Sequence, residues 1–408
     1  MQQLQQMSLI YRLVLYASLA LAVLVVTSMT MGFLKPSVDL SIADKDFANY
    51  WIAGRLIQDG KVLDLFGPHP AYFAHLKAAF GPEFQWHNWS YPPHYLLLIW
   101  PLGLFDYKSA ALLFLGSTAV AFVVAYRAFI GERSLLAWVA VFPLLILNFW
   151  CVQNGYLSSA LALGALALRD KRPIVAGVLL AMLTIKPQLG ILFPFLLIAE
   201  RRWLMIISTV AATVAFFAVS AAVFGIEAWR GYLSEVLPYQ TSVMTNLGGL
   251  FLDMLPSSYG ALRNIGAGAS LALAVHWLIA LPTATISIWA LFRVADARDR
   301  AAILLIATFI VTPYALNYDL ASFEAAVALL AMKDARTEPS HWIRKFLFSL
   351  AMLLPVLMMF LGLVKITIAP PVMLAIWWVA LKQAGFAFRN GNSSVEKRRS
   401  IHSVSTAG

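Results

Sequence analysis

Few carboxylates in this sequence are placed to take up a proton, and two of them, Asp44 and Asp46, follow the first apolar run by about a dozen residues. A carboxylate held partly out of water there can accept a proton from an attacking hydroxyl. An aspartate at a helix start also caps the helix and complements its dipole, a reading that weighs more on Asp44 than on Asp46. Asn49 and Arg55 follow on the polar side of the same stretch, and Lys45 precedes it. The two cations can neutralise the carboxylates, meet a lipid phosphate, or simply form a solvated face.

Lys186 stands in the run LLAMLTIKPQ (Leu179 to Gln188), before a helix-breaking proline. A charge inside a membrane is expensive, so this lysine either snorkels to an interface or faces a cavity and pairs with an anion, phosphate being the natural candidate. Two more polar breaks interrupt apolar sequence, Gln153-Asn154-Gly155 and YALNYD from Tyr314 to Asp319, which includes Tyr318. Asp319 opens a helix, so an N-cap is its competing role. The stretch QWHNWSYPPHY (Gln85 to Tyr95) crowds aromatics, two histidines and two prolines together. Interfacial anchoring accounts for its indoles and Tyr91, but less well for His87, Asn88 and His94. Aromatic platforms with polar neighbours also suit sugar rings. The spacing of His87 and His94 matches no common metal site.

The elements that must position these residues follow from composition. Hydrophobic residues make up 61% of the 408 positions and charged ones 12%, with a mean hydropathy of +0.76, against about 25% charge in soluble domains. Apolar runs recur from Leu9 to Leu381, and in lipid each must satisfy its backbone internally as a helix. The expected fold is all-α, a polytopic bundle with about ten to thirteen membrane helices. The first run is too long for a secretory signal and reads as a retained anchor. The single Cys151 excludes an intrachain disulfide.

The net charge of +10 does not indicate nucleic acid, because its basic residues cluster in short connections: Arg127 with Arg133; Arg169, Lys171 and Arg172; Arg201 and Arg202; Arg293, Arg298 and Arg300; Lys333, Arg336, Arg344 and Lys345. That is the pattern of cytoplasmic loops. Helices are expected over 9–31, 92–105, 109–130, 134–150, 155–169, 173–185, 188–200, 203–224, 267–292, 301–316, 319–333, 346–364 and 366–384. This placement sends the polar breaks to the outer face. Segment 92–105 does not fit the alternation and reads as short or re-entrant. The long connections 32–91 and 226–264 read as outer loops with interfacial helices. In the first, Phe47, Tyr50, Trp51, Leu56 and Ile57 form an apolar face over Lys45, Asn49, Arg55 and Asp59. A single domain is expected over 1–385, followed by a disordered basic cytoplasmic tail over 386–408.

No P-loop, HExxH, paired CxxC or GxSxG stretch occurs, so nucleotide hydrolysis, zinc proteolysis and lipase chemistry have no support. What remains resembles glycosyltransferase family 87, a GT-C class of membrane glycosyltransferases that use polyprenyl-phosphate sugars and include bacterial α-mannosyltransferases. The order of features carries the resemblance: Asp46 opening DFANYWIAGRLIQDG, Tyr91-Pro92-Pro93, the break Gln153 to Gly155, Ala176-Gly177 with Lys186-Pro187 ahead of Glu200-Arg201-Arg202-Trp203, and Thr312-Pro313-Tyr314. It departs where members often carry a His pair, here Tyr318 and Asp319, and at Val152, where a glycine is usual.

The resemblance implies a bacterial inner-membrane enzyme with a GT-C fold and a cavity facing the periplasm. Asp46 would be the catalytic base. Asp44, Asn49, Arg55, His87, Tyr91, His94, Gln153, Asn154, Lys186, Tyr318 and Asp319 would bind substrate. A lipid-linked sugar, most commonly of mannose, would be the donor and a glycolipid or glycan the acceptor, with no further cofactor and no required metal. A transporter or flippase would also need buried charges and broken helices, but it would place its site at the midplane and favour inverted repeats. A structural subunit of an envelope-polymer complex would show no turnover.

Overall fold

The computed structural model describes residues 2–35, 46–84, 88–338 and 341–386. Asp44, Lys45, His87 and nearly all of the expected tail lie outside the described residues. Those described form helices joined by turns, with no strand among them.

The helices fall into two length classes, and the difference makes the site. The long ones are α1 (Leu9–Leu34), α4 (Tyr107–Ile130), α9 (Trp203–Phe224), α11 (Ala269–Arg293) and α14 (Trp342–Gly362), all long and apolar enough to cross a membrane by themselves. Their outer faces are apolar and uncovered: Ile207, Val210 and Val214 on α9 are about 60% exposed. So wide an apolar surface is stable against lipid and not against water.

The short ones are α5 (Leu135–Cys151), α6 (Gly155–Leu168), α7 (Pro173–Met182), α8 (Phe193–Ala199), α12 (Ala297–Val311), α13 (Ala321–Thr337) and α15 (Ala369–Gln383). Between α4 and the N-terminal α1 lie α2 (Phe47–Gln58) and α3 (His69–Phe80), and between α9 and α11 lies α10 (Leu237–Asn246). Helices α5, α6, α12 and α13 have 17, 14, 15 and 17 residues, or about 21–26 Å at 1.5 Å per residue. The long class reaches about 32–39 Å on the same rise. The outer helices thus match a bilayer core of about 30 Å, and the central ones fall somewhat short of it. The ten to thirteen expected crossings thus resolve into five full-length helices and shorter apolar segments packed among them.

The short helices are pinned together at the end that carries the basic connections. There Glu200, 1% exposed at its side chain, joins Arg169 at 3.0 Å, Arg300 at 3.0 Å and Arg202 at 3.5 Å, while Lys333 meets Asp299 at 2.7 Å. At the opposite end they stop early, and the recess they leave is roofed by α2, α10 and the turns around them.

One expectation for the roof needs correction. The apolar face of helix α2 is covered by protein and not open to lipid: Phe47, Ala48, Asn49, Tyr50, Ile52, Ala53, Gly54 and Leu56 are all buried. The cause is a backbone crossing with the segment from Pro93 to Leu104. A Cβ on Gly54 would stand 2.5 Å from the Gly103 nitrogen, so only glycine permits the approach. The same crossing settles segment 92–105. It consists of short turns, Pro93–Tyr95, Leu96–Ile99 and Trp100–Leu104, whose far end returns to α2 through Trp51 Nε1 donating to Phe105 O at 3.0 Å. The segment is re-entrant, and Lys108 at the head of α4 donates to Phe33 O at the tail of α1. Without it as a crossing, the alternation is consistent.

Candidate active site

The recess encloses a cavity of about 250 Å³. Asp46, Asn49 and Tyr50 enter it from the start of α2, Asn88, Ser90 and Tyr91 from the turn that follows α3, Gln153 from the α5–α6 break, Lys186 and Gln188 from the break before α8, and Tyr314, Tyr318 and Asp319 from the α12–α13 connection. Three polar breaks, each where a short helix ends, thus meet at one place beneath the first outer loop.

Asp46 occupies the N-cap position of α2, yet its side chain makes no capping bond. Its Oδ2 instead accepts a hydrogen bond from Gln153 Nε2. Gln153 is 2% exposed, and its Oε1 accepts from the Tyr50 hydroxyl at 2.7 Å and from the Asn154 N–H at 3.2 Å. The Tyr50 oxygen also lies 2.9 Å from that of Tyr91. Burial, reinforced by Tyr91, pushes the Tyr50 phenol well above its ordinary value, so it remains a neutral donor. The amide of Gln153 is oriented from one side by a tyrosine and offers its N–H groups to the carboxylate on the other.

The turn that presents Gln153 is held under strain. Val152 adopts a left-handed backbone, φ 51°, costly for a β-branched residue. It is locked by its N–H on Asn148 O at 3.0 Å and by Asn148 Nδ2 donating to Tyr318 O at 2.9 Å. Gly155 fits beneath, because any Cβ there would collide with Tyr318 O and Asn148 Oδ1. One turn of α5 thereby fixes the α12–α13 connection as well.

Lys186, 6% exposed, faces the cavity and does not snorkel. Its Nζ lies 2.6 Å from Asp319 Oδ1 and 4.9 Å from the centre of the Tyr318 ring. Asp319 Oδ2 accepts the Leu316 N–H at 3.2 Å, so this carboxylate serves both the helix start and the lysine. The cavity floor therefore carries a cation already engaged by one carboxylate, with a second carboxylate, Asp46, along the same wall.

Arg55, His94 and Asn154 are not brought into the cavity. Arg55 is exposed on the far side of α2, over the Trp51 ring at 5.9 Å and near Gly103 O. Pro92 is extended, ψ 156°, and so turns the chain between Tyr91 and His94. His94 points instead into a separate apolar pocket, stacked on Trp229 at 5.8 Å with Thr184 Oγ1 3.1 Å from its Nε2. Asn154 is fully buried beside Tyr95.

The second outer loop, expected only as an interfacial segment, also reaches the site: Tyr232, Leu237, Gln240 and Val243 line the cavity. Gln240 Nε2 donates to Ser90 O at 2.6 Å, and the rings of His69 and Tyr239 lie 3.8 Å apart. These tie the two outer loops into one roof. Nothing in the sequence marks Gln240, because its partner is a backbone carbonyl far away in the chain.

Among known proteins, the model of glycosyltransferase family 87 matches residues 89–313, more than half of the chain. No curated protein and no solved structure matches it. The matched span includes Tyr91, Gln153 and Lys186; Asp46 and Asp319 lie outside it.

Proposed function

The chain belongs to glycosyltransferase family 87, and on that premise we propose that this membrane glycosyltransferase moves a hexosyl group, mannosyl by family association, from a polyprenyl-phosphate sugar to a lipid or glycan acceptor. The cavity opens at the end opposite the basic connections, which corresponds to the periplasmic side of a bacterial inner membrane under the charge rule. The observation that carries the reading is that Asp46 and Lys186 line one recess, walled by the breaks between the short helices and by the two outer loops.

In the proposed reaction an acceptor hydroxyl attacks the anomeric carbon while its proton passes to the Asp46 carboxylate. The bond from that carbon to the phosphate oxygen breaks, and its electron pair leaves on polyprenyl phosphate, which gains a negative charge. Lys186 stabilises that charge by exchanging part of its contact with Asp319 for the phosphate. A single displacement inverts the anomeric configuration. Gln153, steadied by Tyr50, holds Asp46 in line, and the aromatic wall of Tyr50, Tyr91 and Tyr318 fits a sugar ring. No metal is needed for these steps.

The test is incorporation of labelled sugar from polyprenyl-phospho-mannose into a glycolipid fraction by the purified protein and by Asp46→Asn. Loss of the base is expected to lower turnover by about 10²–10⁴-fold. Equal incorporation by both proteins removes Asp46 from the mechanism. Absence of transfer by the unsubstituted protein from every lipid-phosphate sugar tried removes the donor class.

A further inference from the structure

The recess is small for what it has to hold. Its volume of about 250 Å³ lies under the roughly 300–1,000 Å³ common for a site that encloses one small molecule, and sugar transfer brings two substrates together. Some part of the wall must therefore give way. The helix breaks beneath are tied to one another through Lys186 with Asp319 and Asn148 with Tyr318 O, which leaves the roof.

Helix α10 covers the cavity with Leu237, Gln240 and Val243, spaced three apart on one face, while Thr241, Ser242 and Thr245 are exposed on the other. Both ends of this helix are made to bend. Pro238 gives no N–H to the turn before it, and the helix that begins at Ile226 widens there into a π turn, Tyr232–Val236, an interruption at which helices kink. At the other end the chain passes through Gly248 and Gly249, the second at φ 61°, with open space where either Cβ would stand. Tyr259 Oη and Arg263 Nη2 hold this end by donating to Met244 O and Thr245 O, each at 2.7 Å.

The middle of α10 is fastened to the first outer loop instead, by Gln240 on Ser90 O and by the contact of the Tyr239 and His69 rings. His69 is the first residue of α3, where the helix dipole opposes a positive charge. Glu235 faces it from the second loop through its charge and its backbone carbonyl, but burial outweighs both and lowers the His69 pKa from its ordinary value of 6.5. The other charges along the seam are engaged with each other, His75 with Asp64 at 2.8 Å and Arg230 with Glu227 at 2.5 Å, and Lys77 stands in the last turn of α3. A histidine whose pKa is depressed in the closed roof takes up a proton more readily in the open one. Closure is therefore strongest above about pH 6.5 and weakens as the pH falls below it.

We propose that α10 is a lid over the recess, pivoting on its C-terminal end to admit substrate, and that protonation of His69 releases it from the first outer loop. This regulation rests on the recess being the site of transfer, but lid motion is measurable without turnover, so the two can fail separately.

The test is thiol accessibility in the full-length protein carrying Cys151→Ser, with either Val243→Cys beneath the lid or Thr241→Cys on its outer face. Each is labelled with a water-soluble methanethiosulfonate above and below the titration of an ordinary histidine, at about pH 7.5 and about pH 5.5, and the ratio of the two rates corrects for the effect of pH on the thiol. The ratio of inner to outer labelling is expected to rise by up to about tenfold on acidification, the change in protonation of an ordinary histidine over that interval. His69→Phe, which keeps a ring against Tyr239, should hold the ratio constant, and His69→Gln gives the second reading if the ring variant does not fold. A ratio independent of pH while His69 is present overturns the proposal, as does an equal response to acid in the His69 variants. Labelling at position 243 as fast as at position 241 under both conditions overturns the lid itself.

Discussion

The Lys186–Asp319 pair allows structural and catalytic roles of the lysine to be separated in one set of variants. The atoms are 2.6 Å apart, with side chains 8% and 2% exposed. At an effective dielectric of about 20 the attraction is about 6 kcal/mol. Desolvation of the two ions offsets most of it, so the net worth of the pair is small, whereas removing one partner costs about 3–5 kcal/mol. Asp319→Asn keeps an acceptor for the Leu316 N–H and leaves Lys186 against cavity water and the Tyr318 ring, so its loss should lie near the lower figure. Lys186→Met strands a carboxylate that is 2% exposed and should lie near the upper one. The double variant removes both charges and should unfold within about 2 kcal/mol of the unsubstituted protein. Unfolding in detergent and kcat/KM for the lipid-phosphate donor are then measured on all four proteins. If Lys186 also holds the phosphate, the double variant recovers stability but not activity, with kcat/KM still lowered by about 10- to 150-fold, the value of one hydrogen bond to a charged group. Recovery of both together refutes the phosphate role and leaves Lys186 as a strut.

The remaining expectations address the parts around that pair. Gly155→Ala should lose about 1–3 kcal/mol and lower kcat, since the added methyl pushes the Tyr318 carbonyl and the Val152 turn apart; circular-dichroism melting and the transfer assay check it. Arg55→Ala should keep kcat/KM within about twofold, as expected of an exposed side chain; a loss of about tenfold or more would return Arg55 to the site. Glu200→Gln should destabilise by about 3–5 kcal/mol, because Arg169 and Arg300 lose the carboxylate that compensates them, and thermal unfolding measures it.

The helices were legible because in lipid the backbone leaves no alternative: the expected ranges 134–150 and 203–224 differ by a residue at most from Leu135–Cys151 and Trp203–Phe224. That Gln153, Lys186 and Asp319 share one side was readable from the charge rule, since each interrupts an apolar run on the side away from the arginines, whereas Asp46 was marked by the family resemblance. The pairing of Lys186 with Asp319 was not readable, because 133 residues separate them and helix order in a bundle leaves no trace in a single sequence. Burial of α2 was missed for a related reason. Its pattern suits an interface, and only the meeting of Gly54 with Gly103 shows that protein covers the face assigned to lipid.

The Glu200 cluster has a mechanical consequence. Three arginines from separate connections are fastened to one carboxylate at one end of the short helices, and the other end is joined across the cavity by single contacts such as Lys186–Asp319 and Asn148 to Tyr318 O, so the bundle is built like tweezers with lightly latched jaws. A segment about 24 Å long pivoting at the rivet moves its tip by about 0.4 Å per degree. About eight degrees of splay would then widen the jaws by the thickness of a sugar ring while leaving the joint nearly undisturbed. Pulling the rivet should loosen the grip at the tip, although no residue there has been touched.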